Sequence, residues 1–237
     1  GNYLLSFIND ILEINRLESN NIHIERIKFN LVELVNNINQ SFSGFISKNN
    51  INFKLDLDIQ GHENLIGDPT KLSQILINLI NNSIKFTKNG DVSLKIKTVK
   101  EKNNKVTLKF VVQDNGIGIP KDKIENIFDS FSQGSVEINR TYGGTGLGLS
   151  IVKKIIEILG SEIHLESEVN KGTKFYFNLD FEKCDSISIS SIETNHIISH
   201  KNLKGKTVLL VEDNKINQMI TKKMVENKGM ICTIIDN

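Results

Sequence analysis

Hydrophobic and polar residues alternate along this chain with two different periods, which predicts a mixture of helices and strands. Helical spacing runs over residues 4–18 and 69–84, and the strongly apolar stretch 151–159 predicts a buried helix. Alternation at every second residue predicts half-buried strands elsewhere. These strands cover residues 51–59, 91–99, 105–113, 161–169 and 173–181.

Residues at the ends of the predicted helices support their boundaries. Asn30 followed by Glu33 resembles a capping box and predicts a further helix after residue 30. Asp68 can cap the first turn of the next helix, and Pro69 fits its first position. Gly160 predicts a left-handed end for the helix that begins near residue 150. The narrow apolar stripe of the first helix fits either a bundle seam or packing on its own domain.

The C-terminal part of the chain differs in character from the rest. Residues 182–204 lose periodicity and are rich in Ser, Ile and His, which predicts a linker. Residues 207–211 are continuously apolar, as expected for a strand buried on both faces of a parallel sheet. A helix to about Asn227 and a strand from Met230 follow. This order is the beginning of a βαβ unit.

Composition sets only broad limits on function. The chain has 237 residues with 38% hydrophobic and 24% charged residues, as in soluble globular proteins. Its net charge of +1 gives no reason to expect a nucleic acid partner. Cys184 and Cys232 are distant and lack nearby histidine pairs, so free thiols are expected. The first residues already resemble the middle of a helix, which favours a segment of a longer protein.

Residues 143–150, GGTGLGLS, form a glycine-rich loop before the apolar helix. Glycines let the backbone approach a ligand closely, and a helix N-terminus attracts phosphate. A plain flexible loop is the alternative. A Walker loop is excluded because Leu149 occupies the position of its lysine, and the same residue replaces the third glycine of a dinucleotide fingerprint. The sequence therefore predicts a phosphate loop of another kind.

Asp114 ends a predicted strand and is followed by Gly116 and Gly118. A carboxylate only accepts hydrogen bonds, so it could bind the amino group of an adenine. The glycines would let the base lie close to the backbone. A turn aspartate bonded to its own backbone is the alternative.

Three polar residues line one face of the helix over residues 69–84 and just beyond it: Asn78, Asn82 and Lys85. Asn82 offers a neutral oxygen that suits a magnesium ion bridging phosphates, and Lys85 could neutralise phosphate charge. A solvated helix face is the alternative for these residues.

Four stretches together resemble the catalytic ATP-binding domain of sensor histidine kinases. They are NLINNSIKFT (78–87), DNGIGI (114–119), IFDSF (127–131) and GGTGLGLS (143–150), which resemble the family's N, G1, F and G2 boxes in order and spacing. The resemblance covers about residues 29–181. It implies a two-layer α/β sandwich, with a mixed sheet and helices on one face, in the superfamily of gyrase, MutL and the Hsp90 chaperones.

The resemblance also implies roles for single residues in binding ATP and Mg²⁺. Asn82 matches the magnesium-binding asparagine and Asp114 the adenine-binding aspartate. Arg140 resembles a basic residue of the ATP lid. The other matched positions are Asn78 and Lys85 near the phosphates, Gly116 and Gly118 beside the base, and Gly144, Gly146 and Gly148 in the phosphate loop.

The flanking segments resemble the same family. Residues 1–19 are similar to the second helix of a dimerisation and phosphotransfer hairpin, which implies a homodimer. Residues 206–237, after a linker at 182–205, are similar to the start of a flavodoxin-like receiver, with Glu212 and Asp213 as magnesium ligands. The implied parent is a hybrid kinase that exchanges phosphoryl groups with receiver or phosphotransfer proteins. Its catalytic region is expected in the cytoplasm, with the parent anchored in the inner membrane.

None of the five histidines lies in a phosphoacceptor motif: His23, His62, His164, His196 and His200. We therefore expect the fragment alone not to phosphorylate itself. The alternatives are an ATP-hydrolysing machine and a nucleotide switch. Hydrolysing relatives place a glutamate one turn before the magnesium asparagine, where this chain has Asn78. Residues 121–142 are expected to form a mobile lid anchored by Phe128 and Phe131.

Overall fold

The computed structural model describes residues 24–48, 50–129, 146–184, 205–211 and 229–235. It also describes single helical positions at 8, 12, 15, 218, 221, 222, 225 and 226. The chain divides into two compact units, residues 1–185 and 186–237, and each is treated by itself.

Seven strands of the first unit form one mixed sheet. The strands are β1 (Ile27–Asn30), β2 (Asn52–Asp58), β3 (Asn64–Gly67), β4 (Asp91–Lys102), β5 (Lys105–Asp114), β6 (Ile163–Glu168) and β7 (Gly172–Lys183). Their order in the sheet is β1-β3-β7-β5-β4-β2, with β6 also beside β7. Strands β2 and β4 are parallel, and the other neighbours are antiparallel. One edge of β7 pairs with β5, while β6 and β3 share its other edge.

The two helices for which the sequence predicts an N-terminal capping residue begin directly after that residue. The Asn30 side chain accepts a hydrogen bond from the Glu33 amide at 2.9 Å, and Asp68 accepts one from the Lys71 amide at 2.8 Å. Gly160 follows the last long helix with φ +79°. The helices are α1 (Leu31–Lys48), α2 (Pro69–Phe86), α3 (Lys121–Ile124) and α4 (Gly148–Ile158).

The core lies between these helices and one face of the sheet. Helix α2 contacts both α1 and α4 and lies over β5. Its apolar side is buried with alternate residues of the strands, such as Phe110 and Phe177, whose rings stack at 5.1 Å. The strands carry charged pairs such as Lys174–Glu166 at their exposed positions. The predicted two-layer α/β sandwich is therefore confirmed.

The structure also adds elements that the periodicity does not reveal. Strands β1 and β3 have four residues each, too few to show a clear alternation. Strand β7 runs to Lys183, two residues into the stretch predicted as a linker, because its last residues pair with Leu65 and Ile66 of β3. The alternating apolar side chains end earlier, at Phe181.

In the second unit, β8 (Thr207–Val211) and β9 (Ile231–Ile235) pair in parallel, as the βαβ pattern predicts. The prediction that the first of these strands is buried on both faces is wrong. Leu209 is 59% and Val211 61% exposed. Within the described part of the chain, β9 is the one strand that pairs with β8. No helix among the described residues is long and apolar enough to cross a membrane.

Candidate functional site

Asp114 is a buried carboxylate at the end of β5, and three groups donate hydrogen bonds to it. The Ser83 hydroxyl of α2 donates to Oδ2 at 2.9 Å. The amides of Gly116 and Thr173 donate to Oδ1 at 3.0 and 3.2 Å. Burial raises the pKa of Asp114, and the three hydrogen bonds oppose that rise. The result is a fixed acceptor in a largely apolar setting.

The loop after Asp114 is held so tightly that two of its positions require glycine. A β-carbon on Gly116 would lie 2.4 Å from the carbonyl oxygen of Phe86, at the end of α2. Gly118 has φ +67°, and a β-carbon there would lie 2.0 Å from the carbonyl oxygen of Glu168. The loop therefore packs between the end of α2 and the end of β6, with no room for a side chain at either position.

Ser167 connects the same loop to β7. Its Oγ accepts a hydrogen bond from the Ile119 amide at 2.8 Å and lies 2.9 Å from the Gly172 carbonyl oxygen, to which it donates. Its oxygen is also 3.0 Å from the hydroxyl of Thr173. Since Thr173 contacts Asp114 directly, these bonds fix the loop and the carboxylate relative to each other.

The three predicted polar residues of α2 are half-buried and lie along one side of the helix. The Asn78 Oδ1 atom approaches the start of α4, 3.2 Å from where a β-carbon of Gly148 would stand. Burial lowers the pKa of Lys85, whose Nζ lies 4.8 Å from the ring centroid of Phe86. Asn82 and Ser83 are consecutive residues near the end of this helix, so the polar side and the Asp114 cluster share its C-terminal half but lie on different sides of it.

The donor set of this region fits a magnesium ion that arrives with phosphates. Asn82 and Asn78 supply neutral oxygens, and Mg²⁺ prefers oxygen ligands while keeping waters and phosphate contacts. Among the described residues no group of three or more His, Cys, Asp or Glu side chains could hold a metal. The described residues of this region therefore do not form a metal site made of protein carboxylates.

The end of the glycine loop leads directly into α4. Gly146 has φ +73°, Leu147 is buried, and Gly148 is the first helical residue. The Ser150 hydroxyl donates to the Leu147 carbonyl at 2.8 Å. The remaining predicted site residues lie outside the described residues: Arg140, Gly144, Glu212 and Asp213.

Phe128 lies where the sequence predicts an anchor for the lid. Its ring meets that of Phe175 edge-on with centroids 6.3 Å apart, and Lys153 Nζ lies 5.9 Å from its centroid. The Phe128 contacts agree with the expected packing on the domain. Residues 121–129 of the predicted lid are described, and they include the short helix α3; Phe131 and the other residues of 130–142 lie outside the described residues.

Three hydroxyl residues of the site were not singled out from the sequence: Ser83, Ser167 and Thr173. A signal existed for Ser83, because it lies on the apolar side of α2, four residues after Leu79, where a polar residue is unusual. Ser167 and Thr173 carried no comparable signal, because polar residues are ordinary in the half-buried strands of a predicted hairpin.

A separate open groove lies between α1 and α2. It is lined by Leu34 and Ile38 of α1 and by Pro69, Ser73 and Ile77 of α2, among others. At about 100° per residue, these α2 positions point roughly 150° away from the Asn78–Asn82–Lys85 side. The groove is therefore a different surface from the candidate site.

Comparison with known proteins assigns this part of the chain to a family. Residues 67–183 match the family described as histidine kinase-, DNA gyrase B-, and HSP90-like ATPase. The autoinducer 2 sensor kinase/phosphatase LuxQ of Vibrio vulnificus (strain CMCP6) is 34% identical over 233 residues, covering 97% of this chain and 27% of LuxQ. The chain thus spans well under half the length of the curated relatives it matches.

Solved structures agree with this assignment. The catalytic domain of histidine kinase ThkA is 33% identical with a TM-score of 0.52, and the match covers 65% of this chain and 95% of that domain. Full-length ShkA, solved with AMPPNP, is 24% identical with a TM-score of 0.66, and the match covers 99% of this chain and 46% of ShkA. This similarity shows a shared fold. The chain therefore belongs to the histidine kinase-, DNA gyrase B- and HSP90-like ATPase family, and its ATPase-type domain is of the histidine kinase kind.

Proposed function

We propose that this chain binds Mg-ATP and serves as the phosphoryl-donating domain of a hybrid histidine kinase in a two-component phosphorelay. The observation that carries the proposal is the Asp114 cluster, a buried acceptor beside two positions where only glycine fits. An adenine amino group can donate to this carboxylate while the ring lies on the loop backbone. Gly116 and Gly118 would then be the residues beside the base.

The phosphate end of the nucleotide would lie along α2 and at the start of α4. Asn82 would hold Mg²⁺, which bridges phosphates and neutralises their charge when bound. Lys85 and Asn78 would contact the phosphates, together with Gly144, Gly146 and Gly148 of the glycine loop. Arg140 would approach the terminal phosphate from the lid. Positioning and charge neutralisation are the main requirements of phosphoryl transfer.

The attacking group in this proposal is a histidine of a phosphotransfer hairpin. Asn78 has an amide where a hydrolysing relative needs a carboxylate to activate water, so transfer is favoured over hydrolysis. The closeness of the Asn78 oxygen to Gly148 supports a role in holding the phosphate loop.

The flanking segments define the proposed partners. Residues 1–19 would be the second hairpin helix of a homodimer, and its described positions Ile8 and Leu12 are exposed apolar residues of a helix. Residues 206–237, after the linker at 182–205, would open a receiver in which Glu212 and Asp213 hold Mg²⁺. ThkA has been solved with a response regulator protein, TrrA, which supports such partners. The parent would be anchored in the inner membrane with this region in the cytoplasm.

The test is phosphoryl transfer in a chain that carries a hairpin helix with a phosphoacceptor histidine upstream of Gly1. We expect label from γ-labelled ATP in an acid-labile, base-stable form, which is lost in Asn82→Ala. Release of inorganic phosphate without any labelled protein would instead favour the hydrolysing alternative.

A further inference from the structure

Ser83 is a polar residue on the core side of α2. It is 2% exposed and lies among buried residues of the same helix, such as Leu79, Ile80 and Ile84. Its hydroxyl donates to Asp114 Oδ2 at 2.9 Å, across 31 positions of sequence. A buried hydroxyl that is bonded to a candidate ligand-binding carboxylate has a more specific use than filling space.

The hydrogen bonds divide the two oxygens of Asp114 into different roles. Oδ1 accepts from the amides of Gly116 and Thr173, which any sequence with this backbone would supply. Oδ2 accepts from Ser83, the one side-chain donor to this carboxylate among the described residues. Since a carboxylate oxygen can accept about two hydrogen bonds, one acceptor position remains on Oδ2.

We propose that Ser83 is a positioning residue that sets the base preference of the site by fixing Asp114 Oδ2 towards the exocyclic amino group of adenine. The inference rests on the proposed function and adds a residue to it. An oxygen held in this orientation accepts from an amino group at C6 of a purine. It repels a carbonyl oxygen at the same position, as in hypoxanthine, because neither group can donate.

Ser83 acts separately from its neighbour Asn82. Consecutive residues of a helix point about 100° apart, so one side chain is directed into the core towards Asp114 while the other is half-buried on the polar side. Removal of the Ser83 hydroxyl should therefore change recognition of the base and leave the magnesium dependence of binding unchanged.

The test compares ATP with inosine triphosphate, both with Mg²⁺, on the 237-residue chain by calorimetry. Ser83→Ala should weaken ATP binding about tenfold and inosine triphosphate binding less than about twofold, as expected for one lost charge-assisted hydrogen bond. Ser83→Cys, with a similar size and a weaker donor, should fall between them. Ser41→Ala is the control, because it likewise removes a helical serine hydroxyl, one that donates to the Ile38 carbonyl within α1 and away from Asp114.

The outcomes separate this inference from the proposed function. If the ratio of ATP to inosine triphosphate affinity is unchanged in Ser83→Ala, the role of Ser83 is overturned, whether neither affinity changes or both fall by the same factor. A wild-type chain that binds neither nucleotide contradicts the proposed function itself, and the role of Ser83 with it. If the alanine variant unfolds, the cysteine variant decides, since wild-type selectivity in it overturns the inference.

Discussion

Gly118 lies so close to Glu168 that a β-carbon on the glycine would stand 2.0 Å from the glutamate carbonyl oxygen. Its φ of +67° adds a backbone conformation that other residues adopt at a penalty. Gly118→Ala should therefore lower the free energy of unfolding by about 3 kcal/mol or more and abolish tight nucleotide binding. Urea denaturation and calorimetry measure both effects.

Gly61 supplies the matched control for this substitution. It has φ +82°, but no atom of the described residues lies within 4 Å of the point where its β-carbon would stand. Gly61→Ala should then show the backbone penalty alone, about 1 kcal/mol, with nucleotide affinity unchanged. Equal losses of stability in the two variants would mean that the contact with Glu168 is not what selects glycine at position 118.

Asn82 should carry the magnesium dependence of ATP binding. Asn82→Ala removes the proposed oxygen ligand and should weaken binding about tenfold in Mg²⁺, with little change when EDTA is present. Asn81→Ala is the control, because Asn81 is the exposed neighbour on the same helix and both changes alter helix propensity equally. A loss in Asn82→Ala that is the same with and without Mg²⁺ would contradict the assignment.

The raised pKa of Asp114 makes stability depend on pH. Burial is its largest cause, so the folded chain takes up this proton at a higher pH than the unfolded chain does near 3.8. The free energy of unfolding therefore rises as pH falls through the pKa that Asp114 has in the folded chain. The rise ends when Asp114 is also protonated in the unfolded chain. Asp114→Asn removes the effect, so the wild type should gain stability over the variant as pH decreases in this window. Urea denaturation at a series of pH values tests it, and a constant difference would refute the pKa direction.

The same titration should weaken adenine binding, because a protonated carboxyl is a poorer acceptor for an amino group. As pH is lowered, the ATP affinity of the wild type should therefore begin to fall while the pH is still above 3.8. Asp114→Asn should already bind ATP weakly and lack this pH dependence. Comparison of the two chains cancels the titration of the nucleotide phosphates, which is common to both.

Phe128 should hold the first part of the predicted lid, residues 121–129, against the domain. Phe128→Ala removes the edge-on contact with Phe175 and the neighbouring Lys153 cation, and should lower stability by about 1–2 kcal/mol. Amide exchange over residues 121–129 should become faster. Phe45→Ala, at a 61% exposed position of α1, should leave exchange in that segment unchanged.

Much of the fold follows from local sequence, but its sheet edges do not. The bounds of α2 and the long strands follow from caps and from alternation, as Asp68 and the Phe175–Phe181 pattern illustrate. Strands β1 and β3 escape this reasoning, because four residues show no period and their pairing is long-range. Leu65, for example, pairs with Lys183 at the far end of β7.

The candidate site could likewise be predicted from the sequence only in part. Glycines and charged residues at distinctive spacing reveal Asp114 and the loop after it. The groups that hold Asp114 are a small hydroxyl and two backbone amides. Ser83 lies 31 residues and Thr173 lies 59 residues from Asp114 in the sequence. The position of Ser83 on the apolar side of α2 is a signal in sequence, but its partner becomes visible only when the strands and α2 are assembled, and Thr173 carries no such signal.

The central claim is that Mg-ATP binds between the Asp114 loop, the polar side of α2 and the start of α4. Backbone amide NMR shifts on addition of Mg-ATP to the 237-residue chain test it most directly. We predict that the largest shifts fall on Gly116, Gly118, Gly146 and Gly148, while Ser41 and Ile77 beside the α1–α2 groove keep their positions. Shifts confined to that groove, or no shifts at saturating Mg-ATP, would contradict the account.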